Sequence, residues 1–360
     1  MPEMPVRRGL APGMNRGAPA LNAALHDRPM ARPCGFGILG RCLTNHDVLM
    51  TLIERLQSRT ITALWRLMGS CSTRTLWRIA GILAPLYTLL ARRERRVTRI
   101  NLRRAWPELT DTELRPLARQ SLRHSVAMIL ELGFAWYAEP QRVSNAIHRV
   151  HGRELLDEAR AEGRGVIVLG PHFGNWELLN FWLSGHFPIT AMYEPPKMAA
   201  LGPLIRQGRE RNGATLVPTT SRGVASLLRA LRRSEVVGIL PDQVPDWGSG
   251  VFADFFGHPA YTGTLLPGLV ARTQARVVTG FTRRLPNGEG FDLHFLAADE
   301  RVYDPDEAVS AAGVNACVEA AIALDPAQYQ WEYKRWRKTP GEETDEPGWR
   351  ERKLYNRRHR

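Results

Sequence analysis

The sequence predicts an α/β fold, with a mostly parallel central sheet flanked by helices and preceded by a helical, membrane-associating N-terminal region. Short apolar runs of strand length recur in the second half of the chain, at 166–169, 189–193, 215–217, 236–240, 277–281 and 291–296. Helical stretches lie between several of them, at 223–233 and 264–274, and this alternation is typical of a parallel sheet covered by helices. From 49 to 91, apolar residues recur at helical spacing instead.

Four segments are predicted along the chain. Residues 1–47 are rich in Pro, Gly, Arg and Ala without sustained periodicity, and we expect a disordered extension there. The helical region covers 48–149, the α/β domain 150–340, and a basic tail 341–360. Within the helical region, Thr110 and Glu113 have the spacing of a capping box that opens a long helix reaching Tyr137.

The charge of the chain suggests an anionic partner. A formal charge of +13 suits nucleic acid, anionic lipid or an acidic carrier protein. The longest uncharged run of the helical region, 79–91, is shorter than the roughly 20 residues that span a bilayer. Five arginines follow it directly: Arg92, Arg93, Arg95, Arg96 and Arg99. Because the arginines follow the apolar run and do not alternate with it, the pattern favours an element embedded in the membrane face. The alternative is a core helix with a solvated charged face.

Several classes of site leave no motif in the sequence. The four cysteines, which have no metal-ligand spacing, indicate reduced thiols of a cytoplasmic protein: Cys34, Cys42, Cys71 and Cys317. The P-loop, dinucleotide and zincin motifs do not occur, which argues against nucleotide hydrolysis, hydride transfer and zinc-dependent proteolysis.

The central motif of the chain is Gly-Pro-His-Phe-Gly-Asn-Trp-Glu at 170–177, between a strand-like run and an apolar helical run. A histidine suits the removal of a proton from a hydroxyl, so His172 is the candidate base. Glu177, in the first helical turn, would hold the other imidazole nitrogen, and Asn175 would cap that helix. The motif contains no serine or cysteine nucleophile, so the hydroxyl would belong to the substrate. The alternative is a capped turn with a packed histidine.

Other candidate residues lie near the ends of predicted strands. Arg206, Arg209 and Arg211 could bind phosphate or stabilise an oxyanion, although a solvated helix face explains them equally well. Asp242 follows the run 236–240, where ligands of open α/β sheets bind, although loop capping is an alternative. Phe255 and Phe256 could form a wall for an apolar chain or pack in the core.

Several segments, in this order, resemble the lipid A biosynthesis acyltransferase family, the late acyltransferases of lipid A. The matching segments are Asn101-Leu102, 106–109, 172–177, 209–211, 241–243, 255–260, Gln328-Tyr329, Trp331 and Lys334-Arg335. Each segment alone is a weak signal, whereas their co-occurrence in order is specific to the family. The chain departs from the family in its additional N-terminal 47 residues and in Trp106, where the family more often has Phe.

The resemblance implies a glycerolipid-acyltransferase-like fold and an O-acyltransferase that uses no metal or other cofactor. His172 would deprotonate a hydroxyl of a lipid A precursor, which would attack the thioester of an acyl-acyl carrier protein, with Glu177 orienting the histidine. The residues expected to bind substrate or the oxyanion are Arg209, Arg211, Asn175 and Asp242. The expected location is the cytoplasmic face of the inner membrane, where anionic lipids would be further partners.

Two other functions compete with this interpretation. The same chemistry could act on a glycerolipid or another lysolipid, since the histidine motif recognises a hydroxyl and not the molecule that carries it. A basic nucleic-acid-binding protein is the distant alternative, motivated by the net charge and by aromatic residues among arginines at 331–337. No recognised nucleic-acid module is evident, so we expect no nucleic-acid partner.

Overall fold

The computed structural model describes the backbone of residues 45–196, 198–341 and 354–355, and their side chains apart from those of 45–53 and 55. The expected disordered extension therefore lies outside the described residues except at 45–47, which are helical, as does most of the basic tail. The division of the chain into four segments stays a prediction.

Helices precede the first strand. They are α1 (Asn45–Ser70), α2 (Thr73–Leu90), α3 (Arg92–Ala105), α4 (Asp111–Tyr137) and α5 (Pro140–Asn145). The alternating part follows with β1 (Ile147–His151), α6 (Arg153–Ala161), β2 (Val166–Leu169), α7 (Trp176–His186), β3 (Ile189–Tyr193), α8 (Gly202–Glu210), β4 (Thr215–Pro218), α9 (Ser221–Arg232) and β5 (Val236–Ile239). The chain continues through β6 (Gly250–Phe255), β7 (His258–Gly263), α10 (Leu265–Thr273), β8 (Arg276–Arg284), β9 (Phe291–Ala297) and α11 (Glu307–Leu324).

The predicted, mostly parallel sheet is confirmed. Seven strands pair in the order β1-β9-β8-β2-β5-β3-β4. The strands β8, β2, β5, β3 and β4 are mutually parallel, β9 is antiparallel to β8, and β1 is parallel to β9. The four residues of β2 are buried, which explains why a central parallel strand appears in the sequence as a continuous apolar run. The carboxyl ends of five parallel strands therefore meet at one edge.

Two strand features were not predicted. β1 has the sequence Ile-His-Arg-Val-His and lies at the sheet edge with its side chains partly exposed, so it carries no apolar run. β6 and β7 form a separate antiparallel hairpin whose turn places Phe256 at φ 50° and Gly257 at φ 70°. Phe256 packs against Trp106, and Phe255 is buried in the same core cluster. Of the two interpretations of this aromatic pair, core packing is the one observed.

The long helix α4 begins as predicted. Thr110 and Glu113 form the capping box, with the Thr110 N–H donating to the Glu113 carboxylate over 2.9 Å. Pro116 lies within α4, which continues unbroken to Tyr137.

The N-terminal helices pack directly on the α/β part. One buried cluster contains Leu76 of α2, Phe134 of α4, Phe181 of α7 and Phe291 of β9. Residues Val48–Arg360 form one compact unit. These helices therefore cover the sheet as part of the main core.

One described helix, α11, is long and apolar enough to cross a membrane by its length and composition. Half of its residues are buried, and Val314, Val318 and Ile322 belong to the core. Two of the aromatic residues that motivated the nucleic-acid alternative are also in the core, since Trp331 is 1% exposed and Trp336 is 4% exposed.

Candidate active site

Two neighbouring strands position the central residues of the site. β2 and β5 pair in parallel, and the Gly170 N–H continues the ladder by donating to the Ile239 carbonyl over 2.8 Å. His172 follows the end of β2, and Asp242 follows the end of β5. Because both strands end at the same edge, residues that are 70 positions apart in the sequence become neighbours.

The His172 imidazole is paired with Asp242. Its Nδ1 lies 2.7 Å from Oδ1 of Asp242, and the His172 backbone N–H donates to Oδ2 over 2.9 Å. Both side chains are buried. The carboxylate therefore holds the ring in place through two contacts and favours the tautomer with the proton on Nδ1.

The electrostatics of this pair keep Asp242 ionised. Burial by itself would raise the pKa of Asp242, but the charge of His172 and the hydrogen bonds from its ring and backbone lower it, and the net direction is downward. The Tyr329 hydroxyl lies in the same environment, where burial and then the Asp242 charge raise the pKa of Tyr329 well above its ordinary value. Asp242 thus remains a carboxylate able to stabilise an imidazolium.

The second imidazole nitrogen, Nε2, is the one that could exchange a proton. With the proton on Nδ1, Nε2 carries a lone pair, and the Gln243 side-chain amide lies 3.2 Å from it. The edge of the Trp176 ring packs against the imidazole at a centroid distance of 4.9 Å. Gln243 belongs to the motif at 241–243, but no local pattern predicted its position beside Nε2.

Glu177 has different partners from the one expected. Its carboxylate accepts from Nε of Arg209 at 3.0 and 3.1 Å and from Nη2 at 2.6 Å. Nε1 of Trp136 donates to the same carboxylate over 3.0 Å. Burial would lower the pKa of Arg209, but Glu177 raises it, so the pair is held in its ionised form.

The expected pairing of Glu177 with His172 is therefore wrong. Glu177 is the second residue of α7 and faces α4 and α8, which supply Trp136 and Arg209. His172 lies in the preceding turn, and the carboxylate near its imidazole is that of Asp242, which follows β5. Local spacing could identify both residues as important but could not show which carboxylate meets the imidazole.

Asn175 caps α7 as predicted, because its Oδ1 accepts from the Leu178 N–H over 3.3 Å. Its Nδ2 donates to Glu131 over 3.1 Å, and its side chain is fully buried. We therefore assign Asn175 to positioning the turn, and the expected contact with substrate stays a prediction.

A second buried ion pair, Arg284 with Glu131, stabilises the turn that contains Gly174. Arg284 donates to both oxygens of Glu131 at 2.7 Å and to the Gly174 carbonyl at 3.3 Å. Gly174 has φ 56°, and a Cβ there would lie 1.8 Å from the Thr282 carbonyl oxygen, so the close approach requires glycine. This pair was not predicted from the sequence, although a glutamate on an apolar stretch of α4 indicates a buried carboxylate.

The three arginines of α8 and its end differ in their roles. Arg211 donates to the carbonyls of Trp136 and Ala138 at the end of α4, over 3.0 and 2.7 Å, and so caps that helix. Arg206 pairs with Glu210 on the helix surface. The expectation of a substrate-binding role therefore applies to Arg209 and not to Arg211.

An apolar pocket opens beside the Glu177–Arg209 pair, between α7 and the strands β2, β3, β4 and β5. Its wall is mostly aliphatic and contains Val168, Leu179, Leu183, Ile189, Ala191, Met192, Leu216, Gly238, Ile239 and Leu240. Trp176 lines this pocket and also a second cavity, which contains His172. The second cavity is bounded on its apolar side by Met128, Ile129 and Leu132 of α4. Trp176 thus borders two spaces that could each hold part of a substrate, and His172 borders the second of them.

A possible metal-binding group lies elsewhere. Among the described residues, one cluster has donor atoms close enough to hold an ion, namely His151, Asp292 and His294 on β1 and β9.

Comparisons with known proteins give one consistent result. The model of a family described as bacterial lipid A biosynthesis acyltransferase matches residues 52–338, a range that includes His172, Glu177, Arg209 and Asp242. The chain is similar to the lipid A biosynthesis lauroyltransferase of Escherichia coli (strain K12), with 26% identity over 268 residues that cover 74% of this chain and 86% of that protein. The lipid A biosynthesis palmitoleoyltransferase of the same strain is 28% identical over 267 residues, covering 73% and 84%. A shorter similarity, 31% identity over 114 residues, covers 31% of this chain and 36% of the phosphatidylinositol mannoside acyltransferase of Mycobacterium tuberculosis (strain CDC 1551 / Oshkosh).

Proposed function

Because the chain belongs to the bacterial lipid A biosynthesis acyltransferase family and is an acyltransferase of lipid A biosynthesis, we propose that it transfers a fatty acyl chain from acyl-acyl carrier protein to a hydroxyl of a lipid A precursor. The observation that carries the proposal is the His172–Asp242 pair, with Nε2 of the imidazole beside a cavity. This is the arrangement of a general base that activates a hydroxyl group brought by the substrate.

In this reaction Nε2 of His172 takes the proton of the acceptor hydroxyl. The oxygen attacks the thioester carbonyl of the donor, the new C–O bond forms and the C–S bond breaks. The imidazolium then returns its proton to the leaving thiolate, so the enzyme ends as it began. Asp242 stabilises the imidazolium in between, because its negative charge lies 2.7 Å from Nδ1.

The apolar pocket is the proposed site of the donor acyl chain. Its wall consists mainly of aliphatic side chains, and Trp176 joins it to the space around His172. A fatty chain in this pocket would place its thioester near Nε2. Arg209 is held by Glu177, is about one-fifth exposed and lines this pocket, and we assign it to the oxyanion.

Membrane association on the cytoplasmic face of the inner membrane is a further part of the proposal. The second half of α2 exposes five large apolar side chains: Ile82, Leu83, Leu86, Leu89 and Leu90. The arginines of α3 follow directly, and such a combination suits insertion into the headgroup region of an anionic bilayer. An acceptor lipid could then reach His172 without leaving the membrane.

Acyl transfer measured in purified membranes tests the function. We expect wild-type protein to transfer the acyl group of acyl-acyl carrier protein to a lipid A precursor, and His172→Ala to lose this activity. His148→Ala is the matched control, since His148 is an exposed histidine of β1 outside the site. Full transfer by His172→Ala would overturn the mechanism.

The mass of lipid A from cells with and without the gene tests the acceptor. Loss of one acyl chain from lipid A supports the proposal. Unchanged lipid A together with loss of an acyl chain from another lipid would assign the acceptor to a glycerolipid or lysolipid.

A further inference from the structure

A basic cavity separate from the apolar pocket lies between the first half of α2, α4 and the turn after β8. Its outer part is lined by Arg74, Trp77, Arg78, Arg123, Asn287 and Glu289. A deeper part continues along α4 and is bounded by Arg283, Arg284 and Asp325. None of these residues takes part in the mechanism above.

The cavity holds more positive than negative charge. In its outer part three guanidinium groups face one carboxylate, Glu289, which lies 3.5 Å from Arg74. Arg74 and Arg78 are four positions apart on α2 and so project from the same face, where like charges repel. Within the described part of the chain, no carboxylate pairs with Arg78 or Arg123. In the deeper part, Arg283 reaches Asp325 only at 3.9 Å.

The Arg123 side chain is fixed at this location. Its guanidinium stacks over the Trp77 ring at 3.9 Å, and Nη2 donates to the Trp77 carbonyl over 3.4 Å. Its Nε is buried without a hydrogen-bond partner among the described residues. A guanidinium that is held in one position and lines a cavity is suited to bind an oxyanion.

The basic cavity adjoins the space around His172. His124 and Gln328 line both the deeper part of the basic cavity and the cavity that contains His172. Arg284 also connects the two, because it lines the basic cavity and donates to the carbonyl of Gly174 in the active-site turn. A molecule with its hydroxyl at Nε2 could therefore extend an anionic group into the basic cavity.

We propose that this cavity binds a phosphate monoester on the sugar headgroup of the acceptor, with Arg74, Arg78 and Arg123 as its ligands. The inference rests on the proposed function for the identity of the acceptor. A phosphate monoester carries close to two negative charges and three acceptor oxygens, which matches three convergent guanidinium groups. Binding there would orient the headgroup so that one hydroxyl meets His172.

A binding experiment tests the site independently of catalysis. The full chain is titrated into glucosamine 1-phosphate, glucosamine and inorganic phosphate, and the 31P shift, or for glucosamine the 1H shift, is followed by NMR. We expect glucosamine 1-phosphate to bind and glucosamine not to bind. Arg74→Gln combined with Arg78→Gln should weaken binding of glucosamine 1-phosphate by about tenfold or more. Arg222→Gln, an exposed arginine on α9, is the matched control and should bind as the wild type does.

Kinetic measurements show whether the anion that binds in the basic cavity is the phosphate group of the acceptor or free phosphate. With a phosphorylated precursor, the double variant should have a KM raised by about tenfold and a kcat close to that of the wild type. With the precursor lacking that phosphate, variant and wild type should have the same KM. Equal KM values on both precursors, or inorganic phosphate binding as tightly as the sugar phosphate, would overturn the proposal. If the wild type binds glucosamine 1-phosphate but transfers no acyl group to any precursor, the proposed function fails and the anion site stands.

Discussion

At the scale of single residues, the site depends on which carboxylate meets which cation. Asp242 holds His172, and Glu177 holds Arg209, so one buried and one largely buried ion pair lie near the carboxyl edge of the sheet. Loss of the Glu177 carboxylate would leave the largely buried Arg209 without its counter-charge. The two acids therefore have different functions, and their variants should fail in different ways.

The Asp242→Asn variant should keep the fold and lose turnover. An asparagine at this position favours the wrong imidazole tautomer, and we expect kcat to fall by about 10²–10⁴ with little change in KM. Steady-state acyl transfer measures the effect, with the exposed Asp246→Asn as control. Normal turnover by Asp242→Asn would show that the imidazole needs no carboxylate.

The Glu177→Gln variant should lose stability. It leaves a largely buried guanidinium without its partner, which costs roughly 3–5 kcal/mol in comparable buried pairs. Chemical denaturation measures the change. Asp157→Asn, which removes one member of the exposed Arg153–Asp157 pair, should cost less than about 1 kcal/mol. Equal stability of Glu177→Gln and wild type would contradict a structural role for the pair.

His294 should make the protein sensitive to acid. Burial, and then the nearby His151, lowers the pKa of His294 from 6.5 to about 4, although Asp292 opposes the shift. The unfolded chain binds this proton below pH 6.5 and the folded chain only near pH 4, so stability is lost as the pH falls through that window.

The His294→Phe variant tests whether protonation of His294 causes this loss of stability in acid. Phenylalanine can keep the stacking on Phe281 without titrating. Thermal unfolding at about pH 7 and about pH 5 should show a smaller loss of Tm for the variant than for the wild type. His148→Phe should keep the wild-type loss. A variant that loses as much Tm as the wild type would show that His294 is not responsible.

At the scale of elements, the strand β5 positions both the His172–Asp242 pair and one wall of the apolar pocket. Asp242 follows it, and Gly238 within it lines the pocket. A Cβ on Gly238 would lie 3.5 Å from side-chain atoms of Ala191 and Ile189, which is an ordinary contact. The position can therefore accept a side chain, and that side chain would occupy space proposed for the acyl chain.

Substitution of Gly238 should shift donor preference toward shorter acyl chains. Each methyl group added to the wall excludes about one methylene of substrate. The ratio of kcat/KM between a shorter and a longer acyl donor should therefore change by roughly tenfold or more. The series Gly238→Ala, then Gly238→Val, is assayed with acyl-acyl carrier proteins of increasing chain length. Gly268→Ala in α10, where a Cβ meets open space, is the control. Unchanged preference in both Gly238 variants would show that the acyl chain lies elsewhere.

At the scale of the whole molecule, two spaces adjoin the cavity that contains His172. The apolar pocket shares Trp176 with this cavity, and the basic cavity shares His124 and Gln328 with it. The exposed apolar face of α2 begins one turn beyond Arg78, which lines the basic cavity. A membrane-bound glycolipid with apolar chains and an anionic headgroup matches this arrangement.

Vesicle binding tests the proposed membrane face. Ile82→Gln combined with Leu90→Gln should weaken binding to phosphatidylglycerol-containing vesicles by roughly a hundredfold or more, because each buried aliphatic side chain contributes about 1.5–3 kcal/mol. Sedimentation with the vesicles measures the bound fraction, and added salt should lower it for wild type. Leu324→Gln, at an exposed apolar position of α11, is the control. Undiminished binding by the double variant would place the membrane contact elsewhere.

Much of the fold could be predicted from the sequence because its signals are local. The runs that became β2, β3, β4, β5, β8 and β9 are apolar over strand length, and the capping box of α4 is a four-residue pattern. The edge strand β1 and the hairpin β6–β7 were missed, because a partly exposed strand and a hairpin away from the main sheet carry no such run.

The sequence by itself determined the α/β architecture, the importance of His172 and Glu177, the cap at Asn175 and the family of the chain. Only the tertiary structure decided that Asp242 orients the imidazole, that Glu177 holds Arg209, and that Arg284 and Glu131 support the turn. The physical reason is the range of the interactions. Caps and strand periodicity act within a few residues, whereas the ion pairs join side chains that are 32 to 153 positions apart, brought together by strand order and helix packing.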